Sequence, residues 1–344
     1  MRSSQTNQRL GSRSVRLRQF PRGAPVSNDF NIVEDVLAPP LRGQILVRNL
    51  WLSVDPFMRL GIGANVGAAP GLKPGDIMIG GAVGVVEASQ ADGFRVGDIV
   101  FAFRLGWRER YIAGPDAIER VSADVPSLSW HLGALGLPGI TAYAGIEHIM
   151  KPKPGEIVYV SGASGAVGHL ACQLAKRRGA FVIGSAGTDA KAKWLVDALG
   201  IDVAFNYRTT GIKAFLTQQG IDGLNAYFDN VGGATLNEAL QSLKAHGRIV
   251  VCGAISQYNS DHYRRGPDDF FAIVEKGAVI TGVQYRHFEP MKGAIVSEMS
   301  ALLQSGAIKC HETIFDGLDQ TPEAFLSLFS SKCAGKVVVK LAAS

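Results

Sequence analysis

Cysteine is scarce in this chain and comes late: four residues, at 172, 252, 310 and 333, no two closer than 23 positions. There is therefore no CxxC pair and no clustered set of thiolates of the kind that holds a structural zinc. Scattered, mostly apolar-flanked thiols suit core packing in a reducing cytoplasm, the expected location. Histidine is also absent until His131, so the first third of the chain has neither imidazole nor thiol to offer a metal. No stretch of 18 apolar residues and no signal-peptide apolar core occurs, so no membrane-spanning helix is expected.

Charge is sparse too, at 19% of residues. The net +5 is local: residues 1–28 contain six Arg and no Asp, Glu or Lys, which leaves about −1 for the rest. A nucleic-acid partner would require a basic stripe with interleaved aromatics on the folded body, and none is visible. The Arg- and Ser-rich start also has the composition of an organelle transit peptide. The reading adopted is an arm leading into a strand at Ser14-Val15-Arg16-Leu17-Arg18.

Glycine, by contrast, is plentiful, at 41 of 344 residues. That length suits two domains. Up to about residue 135 short strands over 44–51, 82–86 and 98–103 are split by Gly and Pro. From 136 strands alternate with helices: strands over 157–160, 181–184, 203–205, 226–228, 248–252 and 279–283, and helices over 167–178, 190–199 and 234–243. Such alternation predicts βαβ units on a parallel sheet. From about 309 strand-like segments return, with one helix over 322–329 and a last strand over 336–340. The expected organisation is an α/β chain whose two ends, 1–135 and 309–344, form one β-rich domain around an inserted doubly wound domain, 136–308.

The richest motif is Val160-Ser161-Gly162-Ala163-Ser164-Gly165-Ala166-Val167-Gly168, which follows an apolar strand and opens a helix. Gly162, Gly165 and Gly168 permit a tight turn whose backbone N–H groups, with the helix N-terminus, face a pyrophosphate. An NAD site carries an Asp or Glu at the end of the second strand for the ribose 2′-OH. Here that strand ends Ile183-Gly184-Ser185-Ala186-Gly187-Thr188, without a carboxylate. Lys191 and Tyr207-Arg208 lie just beyond, and an ammonium, a phenol and a guanidinium are suitable donors for a 2′-phosphate. The dinucleotide favoured is NADP(H).

At this point a resemblance covers nearly the whole chain. It rests on Leu52-Ser53-Val54-Asp55-Pro56-Phe57-Met58-Arg59, Gly136-Leu137-Pro138-Gly139-Ile140-Thr141-Ala142-Tyr143, the glycine loop, Ala186-Gly187-Thr188-Asp189-Ala190-Lys191, Phe205-Asn206-Tyr207-Arg208, Tyr227-Phe228-Asp229-Asn230-Val231-Gly232-Gly233 and Cys252-Gly253-Ala254-Ile255-Ser256-Gln257-Tyr258-Asn259. The chain resembles the zinc-independent branch of the medium-chain dehydrogenase/reductase superfamily that holds prostaglandin, alkenal and curcumin reductases.

The resemblance implies a Rossmann domain and a GroES-like catalytic domain. It implies cofactor contacts at Gly162, Ser164, Gly165, Ala166, Val167, Gly168, Gly187, Lys191, Tyr207, Asn230, Cys252, Ile255, Ser256, Val283, Tyr285 and Cys333. Substrate contacts are implied at Phe57, Met58 and Tyr258, with Tyr258 catalytic and no metal, and a homodimer is implied as well. Two positions depart from the pattern: Phe57 replaces a usual Tyr, and Cys333 stands where Asn is favoured. Where zinc members carry Gly-His-Glu this chain reads Ile79-Gly80-Gly81-Ala82-Val83-Gly84-Val85.

The expected reaction is NADPH-dependent reduction of the C=C bond of an α,β-unsaturated ketone or aldehyde, by hydride transfer to the β-carbon. The enolate would be held by Tyr258 or the nicotinamide ribose 2′-OH, and the proton given by Tyr258 or water. The alternatives are a zinc-free quinone reductase and a non-catalytic NADPH-binding protein. His131, His148 and His169 read as structural or solvated. Ser161 and Ser164 have no partners at nucleophile spacing. Trp51 and Met58 line either a cleft or the core.

Overall fold

Apolar residues alternating with polar ones shape the first strands in the computed structural model, which describes residues 10–63, 71–260 and 266–341. Strand β1 (Leu10–Leu17) pairs antiparallel with β2 (Phe30–Leu37), from Leu10 opposite Leu37 to Leu17 opposite Phe30. Of the Arg-rich start, Arg2 and Arg9 lie outside the described residues. Arg13 pairs with Glu109 at 2.9 Å and Arg16 with Asp35 at 2.6 Å, so these two charges are met by carboxylates. Then come β3 (Ile45–Ser53), β4 (Ala82–Ser89), β5 (Ile99–Ala102), β6 (Arg110–Ala113) and β7 (Glu119–Arg120).

The sequence changes period at α1 (Leu137–Tyr143), and a βα alternation follows. It comprises β8 (Ile157–Val160), α2 (Gly168–Arg177), β9 (Phe181–Ala186), α3 (Asp189–Leu199), β10 (Val203–Asn206), α4 (Ile212–Gln219), β11 (Leu224–Asp229), α5 (Gly233–Gln241), β12 (Leu243–Val251), α6 (Ala272–Lys276), β13 (Val279–Gly282) and α7 (Lys292–Gln304). The six strands pair in parallel in the order β10-β9-β8-β11-β12-β13. Strands covered on both faces read as continuous apolar runs, as β9 does with five of its six residues buried. The chain then returns through β14 (Glu312–Asp316), α8 (Thr321–Ser327) and β15 (Lys336–Lys340), and a seven-stranded sheet runs β14-β15-β3-β4-β5-β7, with β6 also on β3.

Two compact units result. One takes the residues up to Leu132, Ile314–Ser330 and those from Val337; the other takes Gly133–Thr313 and Ser331–Lys336. Both ends of the chain thus build one unit and the intervening residues the other, with a difference in detail from the sequence reading: 133–135, 309–313 and 331–336 lie with the parallel sheet. Leu243, expected to end a helix, instead begins β12.

The core beneath the parallel sheet is aromatic. Tyr159 stacks on Tyr227 with centroids 4.8 Å apart, and Phe205 on Phe215 at 4.5 Å. Both tyrosines are fully buried, and burial of a phenol demands a hydrogen-bond partner. Tyr159 finds it in Ser185 Oγ at 2.8 Å, while Tyr227 donates to Asp229 Oδ1 at 2.6 Å. These bonds tie the aromatic core to the ends of β9 and β11, where the candidate site is built.

Candidate active site

Strand order reverses between β8 and β11, and the loops leaving the carboxyl ends of those two strands face each other there. The loop after β8 is the glycine motif. Gly162 has φ +56°, a left-handed conformation open to glycine. A Cβ on Gly168 would stand 2.3 Å from Gly162 O, so only glycine lets the start of α2 pack on the turn. Gly165 N–H donates to Gly162 O at 2.9 Å and closes the turn. Val167 at the head of the ten-residue α2 forms no side-chain cap, which leaves the positive end of the helix open to an anion.

Across the reversal, the buried Asp229 organises the loop after β11. Its Oδ1 accepts from Val231 N–H (2.9 Å), Gly232 N–H (2.8 Å) and the Tyr227 hydroxyl (2.6 Å). Burial nevertheless raises the Asp229 carboxyl above its ordinary value, and those hydrogen bonds offset only part of that effect. Ser161 Oγ accepts from Asn230 N–H at 3.1 Å, and Asn230 Nδ2 donates to Ser161 O at 2.8 Å. Asn230 thus laces the ends of β8 and β11 together. Sequence reasoning considered Ser161 only as a nucleophile, whereas the structure makes it a buried crosslink; its signal was a serine ending an apolar strand.

The loop after β12 folds back on the same strand end. Cys252 N–H donates to Asp229 O (2.8 Å), Ile255 N–H to Asn230 O (3.3 Å), and Ser256 Oγ to Val231 O (2.6 Å). Burial, with the Asp229 charge behind it, pushes the Cys252 thiol up to about 12, which leaves it a neutral thiol. Tyr258 accepts the Ala254 N–H at 3.2 Å on its phenol oxygen, so the ring lies over its own turn. Val283 extends β13 by donating to Val251 O at 2.9 Å, with Tyr285 two residues on, opening a 3₁₀ segment.

A second cluster gathers beyond β9 and β10. Thr188 caps α3 by accepting Lys191 N–H at 3.3 Å. Lys191 Nζ donates to Cys333 O, and Arg208 Nη2 donates to Ser331 Oγ at 3.2 Å. A Cβ on Gly187 would lie 2.4 Å from Ser331 Oγ and 3.3 Å from the Tyr207 hydroxyl. Burial lowers the Lys191 ammonium, the nearby Arg208 charge acts in the same direction, and Cys333 opposes both. Asp189, which opens α3, accepts from Asn206 Nδ2 on Oδ1 at 2.9 Å. Two cations, a phenol and a hydroxyl therefore meet around a side-chain-free glycine, a donor set that fits a phosphate monoester. Ser331 was not singled out from sequence, because Ser330-Ser331-Lys332 reads locally as an ordinary polar loop.

In the β-rich unit, Phe57 is 36% exposed and stacks on Phe103 with centroids 6.4 Å apart and planes 6° from parallel. Met58 is 3% exposed, and its Cε would stand 2.8 Å from a Cβ on Gly80, so it belongs to the packed interior. Position 80 is closed to any side chain, because that Cβ would also meet Ser53 O and Trp107 Nε1 at 2.9 Å. Among the described residues, no group of three His, Cys, Asp or Glu is arranged to hold a metal ion. His131 bonds Ser122 O at 2.8 Å, His148 packs against the rings of Tyr143 and Phe288, and His169 is 1% exposed.

A six-stranded parallel sheet in this order, with a glycine loop at the reversal, defines a dinucleotide-binding protein of the Rossmann class. A family model described as the N-terminal domain of oxidoreductase matches residues 13–121, and one described as zinc-binding dehydrogenase matches residues 166–301. Prostaglandin reductase 1 of Mus musculus is 36% identical over 334 residues, 96% of this chain and 99% of the mouse protein. The NADP(+)-dependent 2-alkenal reductase of Nicotiana tabacum is 36% identical over 340 residues, 96% and 97% of the two chains. The crystal structure of CurA from Vibrio vulnificus in complex with NADPH matches with a TM-score of 0.90 at 32% identity, over 96% of this chain and all of CurA. The chain belongs to the medium-chain dehydrogenase/reductase family.

Proposed function

We infer that this protein is an NADPH-dependent reductase of the C=C bond in α,β-unsaturated ketones and aldehydes. The observation that carries the cofactor is the convergence of Lys191, Tyr207, Arg208 and Ser331 around Gly187. Bare ribose offers no charge to match two cations, whereas a 2′-phosphate does. The reaction class draws on the prostaglandin and alkenal reductases that the chain is similar to.

The glycine loop, with Ser164, Ala166 and Val167, would receive the pyrophosphate at the open end of α2, and Cys333 would flank the adenosine side. Asn230 spends its amide N–H on Ser161, and its carboxamide oxygen suits a ribose hydroxyl. Cys252, Ile255, Ser256, Val283 and Tyr285 would border the nicotinamide half. Bound NADPH supplies the hydride. As the substrate's β-carbon gains it, charge collects on the carbonyl oxygen, and a donor there lowers the barrier. Tyr258 is assigned that role, its oxygen steadied by Ala254 N–H; water is the other candidate for the proton that completes the α-carbon. The exposed Phe57–Phe103 pair suits an apolar substrate. Met58, buried against Gly80, would act through packing rather than by touching substrate. Four free cysteines suit a cytoplasmic setting, and no helix among the described residues is long and apolar enough to cross a membrane.

The deciding experiment follows NADPH oxidation with small enals, enones, a 15-oxo-prostaglandin, curcumin and quinones, with NADH as control. Turnover with enones and a strong preference for NADPH is expected. Equal rates with NADH would overturn the 2′-phosphate assignment, and turnover confined to quinones would favour a quinone reductase. Tyr258→Phe is expected to lower kcat about 100-fold on the best substrate; a change under twofold would hand the proton to water.

A further inference from the structure

Segment 331–336 comes from the far end of the chain yet lies with the parallel-sheet unit. It is pinned at its C-terminal side, where Gly335 N–H donates to Ser164 O of the glycine loop at 2.7 Å and Lys336 N–H to His311 O at 2.9 Å. At its other side Ser331 has φ +57°. Among the described residues only four non-glycines are left-handed, and a side chain makes that conformation costly unless the surroundings impose it. Strain of this kind clusters where geometry serves a ligand, so the use of the serine side chain is the question.

Its position answers it. Ser331 Oγ would lie 2.4 Å from a Cβ on Gly187, so the hydroxyl occupies the space over the glycine that follows β9. It accepts from Arg208 Nη2 at 3.2 Å, and a hydroxyl that accepts still has its own proton to give. Two residues on, Cys333 O takes Lys191 Nζ. The segment thus holds both cations in place, one through a side chain and one through a carbonyl. Of the two, only the side chain can be changed without moving the backbone, and only it can also donate.

We propose that Ser331 is a specificity-determining residue for the phosphorylated ribose: its hydroxyl orients Arg208 and donates to the 2′-phosphate. The left-handed backbone is what brings Cβ and Oγ over Gly187. The proposal rests on reading this pocket as a 2′-phosphate site, so its test uses fragments rather than turnover. Calorimetric titration compares 2′,5′-ADP with 5′-AMP on the full-length protein, as wild type, Ser331→Ala and Ser331→Gly, with the melting temperature of each.

The wild type should prefer 2′,5′-ADP. Both variants should weaken 2′,5′-ADP by about 10-fold or more, the loss of one hydrogen bond to a charged group, and leave 5′-AMP within about twofold. Ser331→Gly should melt at or above the wild-type temperature, because glycine takes this φ freely. A 2′,5′-ADP affinity within twofold of wild type in both variants would overturn the proposal. So would an equal loss for 5′-AMP, or a lower melting temperature for the glycine variant, since either marks a merely structural hydroxyl. A wild type without preference for 2′,5′-ADP would overturn the reading of the pocket itself, and Ser331 with it.

Discussion

Individual residues around the glycine loop are held in the charge state their surroundings permit. His169, on the first turn of α2, donates through Nδ1 to Gly165 O at 2.9 Å and accepts His311 N–H on Nε2 at 3.4 Å, a pairing that sets its tautomer. Burial lowers its pKa from 6.5 to about 4, with the charge of His311 acting the same way. A folded-state value below the unfolded one means that protons bind the unfolded chain more readily between the two. Stability on the order of 3 kcal/mol from this group is therefore fully present above about pH 6.5 and is lost as the pH falls to about 4. His169→Gln should flatten that limb of the urea-derived stability between pH 6.5 and 4; an unchanged slope would show that another group controls it. Asp229 runs in the opposite sense: its raised carboxyl favours the folded state at low pH and gives that up as the pH rises.

At the scale of elements, α3 links local sequence signals to the anion cluster. Thr188 is extended (φ −150°, ψ 153°) and accepts Lys191 N–H, while Gly200 closes the helix in the left-handed region at φ +68°. The cap therefore fixes the turn that carries Lys191 as well as the helix itself. Thr188→Ala should cost about 1 kcal/mol in chemical denaturation and weaken NADPH more than NADH, because the displaced group is the ammonium. Equal weakening of both would separate the cap from the phosphate. The alternation of strands and helices was legible because buried parallel strands are apolar runs and their connecting helices are amphipathic. Strand β1 was legible at its C-terminal half, 14–17, whereas β2 and helices α1, α4 and α7 have no counterpart in the sequence reading. In α1 five of seven residues between Leu137 and Tyr143 are Leu, Pro, Gly, Ile or Ala, a composition without polar contrast, and its buried face gives no period to read.

At the scale of the whole molecule, the edge of the parallel sheet bears on association. Strand β13 ends the six-stranded sheet, and its Val279 is 57% exposed; Phe271 and Val274, at the head of α6 and within it, are exposed too. Among the described residues no strand pairs with the outer side of β13, and an apolar sheet edge of that kind is a site for pairing with another strand. The homodimer that the resemblance implies would use it. Val279→Lys should shift the protein to monomer in sedimentation velocity at micromolar concentration, with the circular dichroism spectrum unchanged. A dimer that survives the substitution would locate the interface elsewhere.

Sequence by itself determined the class of fold, the glycine loop and the cation pair at Lys191 and Arg208, because period, turn chemistry and the lack of an acid after β9 are local properties. It also carried the family, through motifs spread over the chain. Tertiary structure alone added Ser331 and showed how the distant segment engages the two cations. Ser331 reaches Arg208 across 123 positions, and Cys333 reaches Lys191 across 142. The same holds for the burial that sets Asp229 and Cys252 apart from ordinary acids and thiols, and for the sorting of Phe57 to the surface and Met58 to the interior. The physical reason is common to all of these: desolvation and hydrogen bonding depend on neighbours brought together by the sheet order, and no local pattern encodes a contact between segments so far apart.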